Sequence, residues 1–300
     1  MKYIIKAHSN PGQSYIEIDK NILNISKTLD CGQCFRWKHL GYNPKSDIEI
    51  FKGVVGDKAW ILGQTNIRSL VLDEEDTKSI LYINKSIEEA QEILDYLDLY
   101  TDYNNLKIPE NDKFAQAAQH YGLGIRILNQ DPWETTVSFI ISQRNNIPKI
   151  KSSIDKLCTK FGTPITEDNK IEAYEFPSAE QIVAAGVDGL NSCGLGYRSQ
   201  YIYDLALRYK NREDFDRYFK HNIDDSDIIY DKLLEIRGVG PKVANCISLF
   251  GYHCLDRFPI DIWMERIIHR YYNGSIDPST YGELAGLMQQ YMFYYTIDRK

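Results

Sequence analysis

The chain has 300 residues, of which 43% are hydrophobic and 26% charged, a globular profile with enough material for one large or two modest cores. A net charge of −7 argues against a generic nucleic-acid binder held by bulk positive charge, and no apolar run reaches the ~18 residues of a membrane helix. The apolar stretch in the opening segment MKYIIKAHSNPG is too short for a secretory signal, so an intracellular location is expected, with Cys31, Cys34, Cys158, Cys193, Cys246 and Cys254 as reduced thiols.

In the first ~115 residues, SYIEID, DIEIFKGVV and AWILGQ alternate β-branched and aromatic residues with polar ones, as strands do. Between them lies LDCGQCFRW, where Cys31 and Cys34 flank Gly32 at the spacing of a thiol motif. Acidity concentrates at Asp73-Glu74-Glu75-Asp76. SIEEAQEILDYLDLYTDY then reads as an amphipathic helix with Ile87, Ala90, Ile93, Leu94 and Leu97 on one stripe.

From about Phe114 the texture becomes helix after helix: DPWETTVSFIISQ, IPKIKSSIDKLCTKFG, SAEQIVAAG, YRSQYIYDLALRYK, SDIIYDKLLEI, PKVANCISLFGY, DIWMERIIHRYY and YGELAGLMQQYMFYY, most of them separated by Gly or Pro. The expectation is an N-terminal α+β domain over 1–115 and a helical domain over 116–300. Arg144, Lys149, Lys151, Lys156 and Lys160 stand against Asp155 alone, a local balance of +4 that reads as a solvated helix face or as a strand-directed basic surface on an acidic body.

The segment LLEIRGVGPKVANCISLFGY, Leu233 to Tyr252, is the most informative. A helix is expected to end at Ile236, Gly238-Val239-Gly240 to turn, and Pro241 to open the next helix, where a missing N–H leaves nothing unpaired. The glycines allow a sharp turn and close approach to a ligand, and the amides of the second helix favour an anion such as phosphate. This is a helix–hairpin–helix pattern at about 225–252, which grips duplex backbone through neutral amides. Lys242 falls in the first turn after it. Helix N-termini prefer negative charge, so the field there favours the neutral, nucleophilic amine; the alternative is a solvated phosphate-binding lysine. Asp261, after Pro259 at another helix start, reads either as a plain N-cap or as a carboxylate that handles protons or stabilises a cationic sugar.

Together with GQCFRW, QDPWETTVSFIISQRNNI, GLGYRSQYI and AGLMQQYMF, the pattern GVGPKVANC…PIDIW resembles the helix–hairpin–helix DNA glycosylases. Among them it is most similar to the 8-oxoguanine DNA glycosylase/AP lyase family of the eukaryotic type, over nearly the whole chain. No cysteine cluster follows Asp261, so the iron–sulfur members fit poorly. The resemblance implies a TATA-binding-protein-like antiparallel sheet in the α+β domain, followed by an all-α helix–hairpin–helix glycosylase domain.

It also implies roles. Lys242 would attack C1′ and form a Schiff base, with β-elimination following, and Asp261 would stabilise the oxocarbenium-like state. The carbonyl of Gly32 would accept the N7–H that 8-oxoguanine has and guanine lacks. Cys246 and Phe293 would lie on the two faces of the extruded base, with Gln289 on its pyrimidine edge. Tyr197 would wedge beside the orphaned base and Arg198 bond its edge, with Arg144, Asn145, Asn146 and Lys149 near the opposite strand and Gly238 and Gly240 on the phosphates. On this reading Cys31 and Cys34 are packing residues.

No cofactor or catalytic metal is implied, although hairpin carbonyls offer a place for a structural cation. The partner would be double-stranded DNA containing 8-oxoguanine, and the protein a monomer of the cytoplasm and nucleoid or of the nucleus. Two departures stand out. Arg144 and Lys149 replace an asparagine and an arginine that help recognise cytosine, and Trp263 replaces a phosphate-binding histidine of animal members. The rival readings are a glycosylase for another damaged purine, a non-catalytic duplex DNA-binding protein, and a thiol oxidoreductase built on Cys31 and Cys34.

Overall fold

The computed structural model describes residues 3–10, 12–65, 78–209, 211–220 and 225–298; the acidic run at 73–76 lies outside them. The elements begin β1 (Lys6–Ala7), β2 (Ser14–Asp19), α1 (Ile25–Asp30), β3 (Lys38–Asn43), β4 (Ile48–Val55), β5 (Lys58–Thr65), β6 (Lys78–Ile83), α2 (Ile87–Tyr96) and α3 (Lys113–Gly122). They continue α4 (Pro132–Ser142), α5 (Ile147–Phe161), β7 (Pro164–Glu167), β8 (Lys170–Tyr174), α6 (Ala179–Asn191), α7 (Arg198–Tyr209), α8 (Arg212–Lys220), α9 (Ser226–Leu234), α10 (Pro241–Gly251), α11 (Ile262–Tyr271) and α12 (Ala285–Asp298).

Two compact units result, one of residues 1–55, 59–129 and 263–300, the other of 56–58 and 130–262. This division differs from the expected boundary near 115, because α12 returns to pack on α3. Gly122 makes that approach possible: a Cβ there would lie 2.4 Å from the Tyr291 ring of α12. Tyr121 adds a hydrogen bond from its hydroxyl to Asp298.

In the first unit the six strands are ordered β1-β2-β6-β5-β4-β3, and β1–β2, β2–β6, β5–β6 and β3–β4 pair antiparallel. Alternation in β2 buries Ile16 and Ile18 beneath α2, whose Ala90, Ile93 and Leu94 are also buried. Trp37, fully enclosed, donates from Nε1 to the Tyr96 hydroxyl at 2.9 Å and lies across Gly53 of β4, where a Cβ would come within 2.3 Å of the ring. The aromatic end of GQCFRW is therefore a core plug.

Helix α2 carries a capping box of Ser86 and Glu89 but stops at Tyr96, earlier than expected. Asp98 turns the chain out of the helix with φ 52, and its carboxylate accepts from Thr101 (2.5 Å) and the Tyr103 hydroxyl (2.6 Å). The buried Arg126 guanidinium donates to the carbonyls of Asp98 and Thr101 and stacks 3.6 Å above the Tyr103 ring. A buried charge pair is tolerable only when hydrogen-bonded in this way.

The second unit is helical apart from the β7–β8 hairpin, turned by Asp168 and Asn169, both with positive φ as a two-residue hairpin turn requires. Asp131 caps α4 by accepting from the Glu134 amide at 2.8 Å, and Pro132 opens that helix. Within the unit, Phe139 of α4 stacks on Phe250 of α10 with ring centres 5.6 Å apart, and Trp133 donates to the Pro177 carbonyl.

Candidate active site

The hairpin between α9 and α10 belongs to the second unit. Gly238 takes φ +88, a left-handed conformation suited to glycine, and packs against Tyr201 so closely that a Cβ would lie 2.4 Å from the ring. Gly240, which precedes Pro241 at the start of α10, has an ordinary φ of −100, and a Cβ there would meet nothing within 4 Å. The fold does not demand a glycine at 240. Its bareness leaves room for something outside the chain.

Lys242 is half-buried in the first turn of α10, with Nζ 5.7 Å from the centre of the Phe139 ring. One turn on, burial raises the pKa of the Cys246 thiol, opposed by the charge of Lys242 and a hydrogen bond with it, while the charge of Asp261 raises it further. Lys242, Cys246 and Asp261 thus form one electrostatic group. Asp261 is half-buried and immediately precedes α11, the position in which both an N-cap and a reactive carboxylate are found.

On the same unit, Gly194 (φ 80) and Gly196 (φ 58) turn the chain into α7 and leave Tyr197 exposed. Tyr197 meets Tyr201 edge-on at 5.8 Å and carries the Arg198 guanidinium over its ring at 4.5 Å. Arg198 itself is buried, donating to the carbonyls of Gln143, Leu195 and Arg144. A free base-reading edge is not what this side chain presents here; it staples the turn after α4. Arg144 in that turn is exposed with φ 47, a conformation that suits asparagine better than arginine. Asn146 caps α5 by accepting from the Lys149 amide at 3.0 Å, Asn145 donates to the Ile141 carbonyl, and Lys149 is exposed.

The first unit holds Gly32, Gln289 and Phe293. Gly32 has φ +84, and the residues around it are fixed. The wholly buried Gln33 amide donates to the carbonyls of Thr28 (3.0 Å) and Arg126 (2.7 Å) and accepts from the Leu128 amide (2.9 Å). From α12, Gln290 donates to the Cys31 carbonyl at 2.8 Å. Gln289 is buried, and its Oε1 has no hydrogen-bond partner among the described residues. Phe293, one turn later, is half-buried. Cys31 and Cys34 are both buried and form no disulfide, and burial pushes the Cys31 thiol up to about 12. Trp263 carries the Arg266 guanidinium over its ring at 4.6 Å. Gln33, Gln290 and Tyr201 were not singled out from sequence, although paired amides inside an apolar helix (LMQQYM) are a readable signal of buried polar work.

Residues 137–290 match the HhH-GPD superfamily base excision DNA repair protein. The chain belongs to this superfamily. Residues 15–136 match the 8-oxoguanine DNA glycosylase N-terminal domain, which makes it a member of the 8-oxoguanine glycosylase type. The N-glycosylase/DNA lyase of Saccharomyces cerevisiae is 28% identical over 293 residues, 90% of this chain and 73% of that protein. The 8-oxoguanine glycosylase/lyase of Clostridium acetobutylicum, in complex with double-stranded DNA containing cytosine opposite 8-oxoguanine, shares its fold with a TM-score of 0.79. It is 27% identical over 100% of this chain and 98% of that one. MBOgg1 in complex with a low-affinity DNA ligand gives a TM-score of 0.79 at 33% identity, over 100% of this HhH-GPD chain and 99% of its own. Among the described residues no helix is long and apolar enough to cross a membrane, and no cluster of three or more His, Cys, Asp or Glu is placed to hold a metal ion.

Proposed function

We propose that the chain is a bifunctional base-excision enzyme that removes 8-oxoguanine from duplex DNA and then cleaves the strand as an AP lyase. The observation that supports it most is the group at the start of α10, directly after a glycine hairpin: an amine hydrogen-bonded to a buried thiol that also feels the charge of the Asp261 carboxylate. Nζ of Lys242 attacks C1′ of the lesion nucleotide. The C1′–N9 bond breaks, its electron pair leaves with the base, and the base takes up a proton. Asp261 offsets the positive charge that develops on the sugar. Nζ sheds a proton, its lone pair expels O4′, which takes a proton up, and the resulting iminium between C1′ and Nζ acidifies C2′–H. Loss of that proton drives β-elimination, and the 3′ phosphate departs.

Lesion choice rests on Gly32, whose carbonyl accepts the N7–H of 8-oxoguanine and meets only a lone pair in guanine. Gln289 binds the pyrimidine edge; its unpartnered buried Oε1 supports that role, since a buried amide without a partner costs about 1–3 kcal/mol that a bound base would recover. The resemblance assigns Cys246 and Phe293 to the base. Tyr197 fills the gap in the stack, and Gly238 and Gly240 admit the phosphates. The enzyme works where genomic DNA is, in cytoplasm and nucleoid or in a nucleus.

Single-turnover assays on duplexes carrying 8-oxoguanine or an alkylated purine test this reading. Release of 8-oxoguanine with a nick 3′ to the site is expected. Release of the alkylated purine alone, without strand cleavage, would overturn it.

A further inference from the structure

We propose that Gln290 is a positioning residue for lesion discrimination: it holds the Cys31–Gly32 peptide in register so that the Gly32 carbonyl meets N7–H. The inference rests on the reading of Gly32 given above and adds a residue that reading did not use.

A carbonyl that tells N7–H from a bare N7 must sit within a narrow range of distance and direction, because hydrogen bonds weaken steeply outside it. Glycine is the residue least able to hold such a direction by itself. Its carbonyl is fixed only if the planar peptides on both sides are fixed. On the C-terminal side, residue 33 is anchored by its side chain: the Gln33 side-chain amide bonds the backbone of Thr28, Arg126 and Leu128. On the N-terminal side, Gln290 Nε2 reaches the Cys31 carbonyl at 2.8 Å across 259 residues of sequence.

Gln290 is 2% exposed, so water does not replace that bond when the side chain is removed. It is also the direct neighbour of Gln289 on α12. One helix therefore sets the lesion-reading carbonyl and carries the amide assigned to the opposite edge of the base. The bond ties the two readers to one frame within a single compact unit.

The test compares two reactions of the full-length protein. Excision of 8-oxoguanine opposite cytosine needs the Gly32 carbonyl. Cleavage at a pre-formed abasic site needs Lys242 but has no base to read. Gln290→Met keeps the volume without the donor, and Gln290→Asn keeps the donor but shortens its reach. Both should slow single-turnover excision about tenfold, the scale of one lost hydrogen bond, while abasic-site cleavage stays within about twofold. Equal loss of both reactions in both variants would make Gln290 a packing residue and overturn the proposal. So would undiminished excision.

Gly32→Ala and Lys242→Gln run alongside. If Gly32→Ala leaves lesion preference intact, the underlying reading of Gly32 fails. If Gly32→Ala destroys that preference and Gln290→Met does not, only this inference fails.

Discussion

Gly238 lies on the ring of Tyr201, so that the tightest turn of the hairpin and the residue beneath Tyr197 are one packed unit. Gly238→Ala must displace that ring and also accept φ +88, a combined strain of about 1–3 kcal/mol. Gly240→Ala meets no atom of the chain and has an ordinary φ, so stability should stay within about 0.5 kcal/mol. Its new methyl instead points at whatever approaches the hairpin, and duplex affinity should fall. Denaturant melts and duplex titrations on both variants check the contrast. Unchanged affinity in Gly240→Ala would remove the hairpin from the DNA interface.

Asp261→Asn separates a cap from a reactive carboxylate. Asparagine caps helices about as well as aspartate, so a pure cap would survive the exchange. Loss of charge beside a cationic sugar should instead slow the chemical step by about 100-fold or more with little change in duplex binding. Single-turnover rates near wild type would return Asp261 to the role of a cap.

The buried thiols give a pH prediction. With Cys31 pushed up to about 12 by burial, the folded protein holds almost no Cys31 thiolate at pH 8, about one part in ten thousand. The thiolate grows only as pH climbs towards that value or the chain unfolds. Iodoacetamide at pH 8 should therefore leave Cys31 unmodified until denaturant is added. Rapid modification of the folded protein, or a Cys31–Cys34 disulfide after mild oxidation, would revive the thiol reading.

Opposite-base choice should be weak. Lys149 offers a point charge where a planar fork would discriminate, Arg144 occupies a strained φ of 47, and Arg198 spends its donors on the carbonyls of residues 143, 144 and 195. Losing one good bidentate contact removes about 1–3 kcal/mol of discrimination, so cytosine should be preferred by well under a hundredfold. Arg144→Asn combined with Lys149→Arg should sharpen the preference, and the asparagine should also relax the turn. Excision rates on four duplexes differing only at the opposite base decide the matter. A cytosine preference beyond about a hundredfold in the unmodified protein defeats the prediction.

Local pattern made much of this molecule legible. SYIEID coincides with β2, and α10 begins at Pro241 with Lys242 in its first turn, because alternation and glycine–proline punctuation act over a few residues. The hairpin of β7 and β8 escaped notice because its strands are short, polar and mostly exposed, leaving little apolar alternation to read. The early end of α2 depends on Asp98 meeting Tyr103 and Arg126, and the frame around Gly32 depends on Gln290 at the far end of the chain. Partners brought together only by tertiary packing leave no spacing in the sequence. The placement of α12 with the sheet unit is of the same kind.

Borohydride trapping on a duplex carrying 8-oxoguanine opposite cytosine tests the role of Lys242 most directly. The wild-type protein should be reduced onto the DNA as a covalent adduct of one protein per strand, with the link at the Lys242 Nζ. Lys242→Gln, which keeps length and polarity but has no nucleophilic amine, should bind the duplex and yield neither adduct nor free 8-oxoguanine. An adduct of wild-type yield in Lys242→Gln would contradict the account.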